Sequence, residues 1–272
     1  MIRIPTLSKQ SFTITSASHQ LAAEFILPDG AAPTADTPTL VFLHEGLGCI
    51  AMWRDFPTML VEATHLPALI YERWGYGRSD PLPTIGARSI RYLHDEALIS
   101  LPEVLAQCAI DDAIIIGHSD GGSMALMFAA AHPDRVRGVI TEAAHVFVED
   151  VTLDGIREAV EIYETTSLKE KLTRYHGDNT ETAFHGWADT WLSSEFRDWN
   201  IEEFLPKITT PLFVIQGADD QYATPAQVEA IAGQVKGHVK RWLVPECGHI
   251  PHADAREAVF QEMKTFILDL VR

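Results

Sequence analysis

Cysteine is scarce in this chain. Cys49, Cys108 and Cys247 are three of 272 residues. The number is odd, the spacings are unrelated and there is no CxxC pair, so a disulfide framework and a cysteine-rich metal site are both excluded, and reduced thiols in a cytoplasmic protein are expected. Positive charge is also in short supply. Twenty-one Lys and Arg stand against 38 Asp and Glu, a net charge of −17. That balance argues against nucleic acid and against anionic membrane surfaces as partners, and as a weak global effect favours a cationic over an anionic substrate. No apolar run approaches membrane-spanning length, and Met1-Ile2-Arg3-Ile4-Pro5 opens no signal peptide. HExxH, a P-loop and a GxGxxG following a strand are all missing, so no metal or organic cofactor is expected. There is no internal repeat and no low-complexity segment.

What is present centres on Ile114-Ile115-Ile116-Gly117-His118-Ser119-Asp120-Gly121-Gly122. A β-branched run enters Gly-x-Ser-x-Gly, and Met124, Ala125, Met127, Phe128 and Ala131 follow at helical spacing. The order predicts strand, sharp turn and helix, with the serine Oγ exposed at the tip of the turn. The helix N-terminus behind it suits a developing oxyanion.

The rest of the chain fits an α/β frame. Ser11 to Leu27 carries two alternating runs, an antiparallel hairpin closed by Pro28-Asp29-Gly30, and a small-residue loop runs on to about Pro38. Short apolar strands are expected at 40–43, 68–71, 136–141, 212–215 and 238–244. Helices are expected from Met52 to Val61, from Ile90 to Cys108 (with Pro102 able to kink it), from Pro225 and from Asp254 to Leu270. This alternation implies a mostly parallel central sheet with helices on both faces. From 147 to 206 it lapses into helical stretches carrying Phe184, Trp187 and Trp191. The expected division is therefore a core of 1–146 and 207–272, interrupted by a helical cap at 147–206 that would cover the strand C-termini.

A serine needs a base, normally a histidine oriented by a carboxylate. Of the 12 histidines, His249 lies just past the last strand. Asp219 and Asp220 lie just past the strand before it, on the same sheet edge as Ser119.

Four pieces stand in the order of an α/β-hydrolase: His44-Glu45-Gly46-Leu47-Gly48, Gly117-His118-Ser119-Asp120-Gly121-Gly122, Gly217-Ala218-Asp219-Asp220 and Gly248-His249. Over nearly its whole length the chain resembles a capped serine esterase of that superfamily. The resemblance implies Ser119 as nucleophile, Asp220 as acid (Asp219 the alternative) and His249 as base. The oxyanion hole would be the amides of Asp120 and Gly46, although Glu45 departs from the glycine usual at its position. A serine nucleophile sets the chain apart from dehalogenases and epoxide hydrolases, which use aspartate.

The Gly-x-Ser-Asp-Gly-Gly turn with a helical cap is similar to the valacyclovir hydrolases, where the aspartate after the nucleophile is associated with a substrate α-amino group. That makes an aminoacyl ester a candidate substrate beside a neutral carboxylic ester. Glu45, Asp120, Glu142, His145 and Trp187 are expected at the substrate, with Glu142 also a fallback orienting acid. Carbon–carbon bond hydrolysis, lactone hydrolysis, a lyase reaction and a ligand-binding receptor on the same scaffold remain rival readings. The partner expected is a small molecule. Oligomeric state is left open.

Overall fold

The computed structural model describes residues 7–28, 37–86 and 88–272. The turn at Asp29-Gly30 and most of the loop after it lie outside these. Eight strands form one sheet in the order β1-β2-β4-β3-β5-β6-β7-β8. They are β1 (Leu7–Ser16), β2 (His19–Pro28), β3 (Thr39–Leu43), β4 (Ala68–Tyr71), β5 (Ala113–His118), β6 (Val136–Glu142), β7 (Leu212–Gly217) and β8 (Val239–Val244). Strand β2 runs antiparallel to both neighbours, and the pairs from β4 to β8 are parallel. This is the α/β-hydrolase fold, as the alternation predicts.

The central strands are continuously apolar because both faces are covered. Val41, Leu43 and Ile115 join a core on one face, while Leu40, Phe42, Ile114 and Ile116 join a second core on the other. Helices α1 (Phe56–Thr64) and α10 (Arg256–Leu270) contribute to the second core. Helix α4 (Asp120–Ala131) is almost wholly buried in the first. Chain direction around the sheet reverses between β3 and β5, and Leu43 stands in register with Gly117. The loops leaving these two strands therefore open onto one crevice, the topological switch point where open α/β sheets bind ligands.

Two helical expectations are adjusted. The run expected from Met52 is a short 3₁₀ turn, Ile50–Trp53, then a break at Arg54 (φ +55°) before α1. The run expected from Ile90 becomes α2 (Tyr92–Asp95), a π-turn (Glu96–Ser100) and α3 (Leu101–Gln107). Pro102 has no N–H and its ring would strike the carbonyl one turn earlier, and the widened turn just ahead of it gives it room. The inserted helices are α5 (Asp150–Thr165), α6 (Leu168–His176) and α7 (Thr180–Leu192), between β6 and β7. The remaining helices are α8 (Ala226–Gln234) and α9 (Pro251–Asp254).

Among the described residues no helix is long and apolar enough to cross a membrane. The three cysteines are free, and burial pushes the Cys108 and Cys247 thiols up to about 11 and, with the Glu72 charge, Cys49 up to about 12.

Candidate active site

Ser119 sits between β5 and α4 at φ +53°, ψ −116°, a backbone conformation that a non-glycine residue adopts only when its surroundings impose it. Here they do. The Ser119 amide donates to the Glu142 carbonyl of β6 at 2.8 Å. A Cβ at Gly121 would come within 2.0 Å of the Leu43 carbonyl oxygen, so only glycine lets α4 lie this close to β3.

His249, in the loop after β8, accepts from Ser119 Oγ at Nε2 over 3.0 Å. Its Nδ1–H donates to both Asp220 oxygens, at 2.8 and 3.0 Å. The Tyr222 amide also donates to Asp220 Oδ1 at 2.8 Å. Burial alone would raise the Asp220 carboxyl, but the His249 hydrogen bonds and charge and the Tyr222 amide outweigh it and hold it below the usual carboxylate range. Asp219 is exposed and makes none of these contacts through its side chain. The three side chains drawn from 130 residues of sequence thus meet with the geometry of a nucleophile, a base and its orienter.

The loop expected to receive the oxyanion follows β3. The Glu45 carbonyl is held by His44 Nδ1 at 2.8 Å, by Arg73 Nη2 at 2.7 Å and by the Gly48 amide at 3.1 Å. In a trans peptide the N–H points opposite to the C=O, so anchoring this carbonyl fixes where the Gly46 N–H points. Among the described residues neither the Gly46 nor the Asp120 amide N–H has an acceptor. Burial, followed by the Arg73 charge, drives the His44 pKa well below its ordinary value, and its neutral ring accepts the Arg73 amide at Nε2 (3.1 Å).

Arg73 was not among the expected residues, and it corrects one of them. Its guanidinium is 1% exposed and lies 3.3 Å from Asp120 Oδ2. The same oxygen accepts the Tyr92 hydroxyl at 2.8 Å, and that hydroxyl accepts Trp191 Nε1 of α7 at 2.9 Å. Asp120 is therefore not a free carboxylate awaiting a substrate ammonium. The chain supplies the cation itself. Arg73 follows a buried strand and precedes a glycine-punctuated loop, a place where a charged residue passes for a solvated one. Its position on the same sheet edge as Ser119 was the available signal.

Glu142 is a second correction. Its carboxylate is fully buried and is bonded to His252 Nδ1 at 2.6 Å, and it neither borders the Ser119 cavity nor orients His249. It points to the sheet face opposite α4 because alternate residues of β6 do so.

Glu45 borders the cavity, and its carboxylate lies 3.5 Å from His118 Nδ1, an ion-pair distance too long for a well-formed hydrogen bond. His118 Nε2 donates to the His249 carbonyl at 2.7 Å. Burial would lower the His118 pKa, but Glu45, Glu142 and the His249 carbonyl outweigh it and push it up to about 9. His145 also borders the cavity, donating Nε2–H to the Tyr222 carbonyl at 3.1 Å, and burial together with the His249 charge lowers its pKa. Trp187 lies over Gly46, its Nε1 2.3 Å from where a Cβ would stand.

The cavity at Ser119 holds about 270 Å³. Its apolar walls include Leu47, Ile156, Ala159, Leu172, Trp187 and Trp191, mostly from the inserted helices. Among the described residues no Lys or Arg borders it, and no cluster of three metal-ligating side chains occurs.

Residues 40–262 match the model of the Alpha/beta hydrolase family. The chain belongs to this family. It is 26% identical over 238 residues to 2-hydroxy-6-oxononadienedioate/2-hydroxy-6-oxononatrienedioate hydrolase 1 of Dechloromonas aromatica (strain RCB), covering 78% of this chain and 80% of that one. It is 28% identical to the human serine hydrolase BPHL over 144 residues, 51% of this chain and 48% of that one. Among solved structures, 2-hydroxy-6-oxo-6-phenylhexa-2,4-dienoate hydrolase from Rhodococcus sp. strain RHA1 superposes with a TM-score of 0.71 at 15% identity, over 96% of this chain and 99% of that one. That last likeness concerns the fold alone. Family membership and these relatives support a hydrolase.

Proposed function

We propose that this family member is a serine hydrolase of small carboxylic esters whose acyl group is uncharged and apolar. The contact that carries the reading is Ser119 Oγ to His249 Nε2 at 3.0 Å, with Asp220 on the far nitrogen. Ser119 attacks the ester carbonyl as His249 takes its proton. The amides of Gly46 and Asp120 receive the oxyanion. His249 then protonates the departing alkoxide, and activates the water that releases the acid. Arg73 leaves Asp120, the carboxylate beside the nucleophile, already paired, so the oxyanion forms without that free charge opposing it. The helices at 147–206 act as the cap, and their apolar side chains form the acyl wall.

The pocket favours this class over two others. An aminoacyl ester would need an unpaired carboxylate where Asp120 is already bonded to Arg73 and Tyr92. A dienedioate of the kind in the first relative's name carries two carboxylates. Here the cavity offers one cationic group, His118, and Glu45 neutralises it. Carbon–carbon bond hydrolysis is the second reading, favoured by that relative's 26% identity over most of the chain, and the same three side chains would carry it on an uncharged diketone.

The test is a fluorophosphonate label followed by a steady-state panel of butyryl, aminoacyl, lactone and vinylogous diketone substrates, with Ser119→Ala beside the wild type. Turnover highest on the butyryl ester and lost in Ser119→Ala is expected. Labelling of Ser119 together with turnover of only the diketone by unlabelled enzyme would replace the ester reading with the second one. Labelling with no turnover by unlabelled enzyme would favour a receptor.

A further inference from the structure

Three cavities that share wall residues in succession lie along the seam between the inserted helices and the core. The Ser119 cavity shares Glu45, Met52 and Ile250 with a neighbour of about 150 Å³. That neighbour shares Arg54 and Tyr175 with a cavity of about 810 Å³. The character of the walls changes along the way. The inner end is apolar. The outer end is polar, with Lys9, Arg54, Arg78 and Arg174 against Glu24, Glu72 and Asp178. Four basic to three acidic residues is an inversion in a chain with 21 basic and 38 acidic residues.

Two of those cations are already used, Lys9 with Glu24 at 3.8 Å and Arg78 with Glu72 at 3.5 Å. Neither Arg54 nor Arg174 forms an ion pair within 4.0 Å among the described residues; the Arg54 charge acts on the neighbouring Asp55, whose carboxylate is bonded to Arg256. Arg54 is also held at φ +55°, a conformation that costs backbone energy and fixes where its side chain leaves the chain.

The wall that carries Arg174 is built, not incidental. His176 is 2% exposed, accepts the Gly77 amide at Nδ1 (3.0 Å) and donates to the Leu47 carbonyl from Nε2 (2.9 Å). Asn179 donates to the carbonyls of Gly77 and Ser79 at 3.2 and 2.8 Å. These bonds fasten the end of α6 to the loop after β4 and keep the outer trough at a fixed width. Its inner neighbour is lined by Ile250, His252 and Ala253, the residues that follow His249. The alcohol of an ester must lie on the His249 side, since His249 protonates it.

The geometry points to a leaving-group subsite for an anion: the substrate is an ester whose acyl part is apolar and whose alcohol part carries a phosphate or carboxylate held by Arg54 and Arg174. The inference rests on the ester reading and names the half of the substrate that reading leaves open. Glu45 stands at the junction, but His118 balances it, so the anion meets no unpaired negative charge before the trough. The overall charge of −17 opposes an anionic substrate at long range, which makes a local basic pair necessary.

The experiment compares 4-carboxyphenyl butyrate with its methyl ester, 4-(methoxycarbonyl)phenyl butyrate, in the wild type, in Arg174→Gln and in Arg54→Gln/Arg174→Gln. Arg174 is exposed in the last turn of α6, so its single variant keeps the test open if Arg54→Gln disturbs the turn. The ratio of kcat/KM for the charged over the uncharged ester is expected to fall about tenfold in the double variant and part of the way in Arg174→Gln, mainly through KM. Added salt should lower the same ratio in the wild type. A ratio unmoved by both variants overturns the subsite and leaves the ester reading standing. No turnover of either ester by the wild type overturns the ester reading and the subsite with it.

Discussion

The Arg73 guanidinium binds the Asp120 carboxylate at 3.3 Å with one nitrogen and the Glu45 carbonyl at 2.7 Å with another. One buried fork therefore reaches both segments whose amides are assigned to the oxyanion. A lysine could supply the charge but not the fork. Arg73→Lys is expected to lower kcat by about ten- to a hundredfold with KM nearly unchanged, since the loss falls on the transition state. An equal rise in KM with kcat intact would assign Arg73 to substrate binding instead. Asp120→Asn leaves a buried cation without its counter-charge and should destabilise the fold by about 3–5 kcal/mol, read by chemical denaturation. It should not lower the preference for amino-bearing esters over neutral ones.

For the acid of the triad the two neighbouring aspartates give opposite expectations. Asp220→Asn should reduce kcat by about 10⁴, because the amide holds His249 in the wrong tautomer. Asp219→Asn, at an exposed side chain, should stay within about twofold. Steady-state rates on one ester decide it, and comparable losses in both would mean that Asp220 does not orient the base.

The pH profile should carry an alkaline limb set by His118. Its imidazolium donates to the His249 carbonyl and faces Glu45, with Glu142 contributing charge and the His252 ring 5.2 Å away. Its pKa in the folded chain is raised to about 9. The charge-assisted part of the hold on the His249 loop is therefore complete below the ordinary histidine value and is lost as pH rises through about 9. Activity should fall across that interval. Glu45→Gln removes the largest raising influence and should move the limb to lower pH. A limb that stays in place in Glu45→Gln would mean that His118 does not govern it.

The frame and the meeting of Ser119, Asp220 and His249 were legible because each is written locally. Ile114–Ile116 can only be a strand covered on both faces, Gly121 stands where α4 crosses β3, and Ser119, Asp220 and His249 each follow a strand on one edge. The roles of single charges were not legible, because a buried charge is defined by partners far away in sequence. Arg73 acquires its meaning from Asp120, 47 residues on, and Glu142 loses its expected one to His252, 110 residues on. Asp120 by itself looks like a ligand for a cation, and nothing in its neighbourhood of sequence announces that Arg73 is that cation. The π-turn before Pro102 was hidden for a related reason: the proline predicts a disturbance, but only packing decides how it is absorbed.

Two glycines should respond oppositely to alanine. At Gly121 the obstacle is backbone, the Leu43 carbonyl 2.0 Å from the new Cβ, which cannot move without prising α4 off β3. Gly121→Ala is expected to cost about 3 kcal/mol or more, a fall in Tm of roughly 10 °C for a chain of this size. At Gly46 the obstacle is the Trp187 indole, 2.3 Å away at Nε1 and 2.4 Å at Cδ1, a side chain on an inserted helix. Gly46→Ala should fold, with the indole displaced within the Ser119 cavity it borders, and kcat/KM should fall more steeply for hexanoyl than for acetyl esters. Trimming the obstacle should undo this, so Gly46→Ala/Trp187→Leu should recover hexanoyl turnover relative to Gly46→Ala alone, a coupling that a double-mutant cycle measures. Additive losses in that cycle would mean that the indole does not set the space available to the acyl chain.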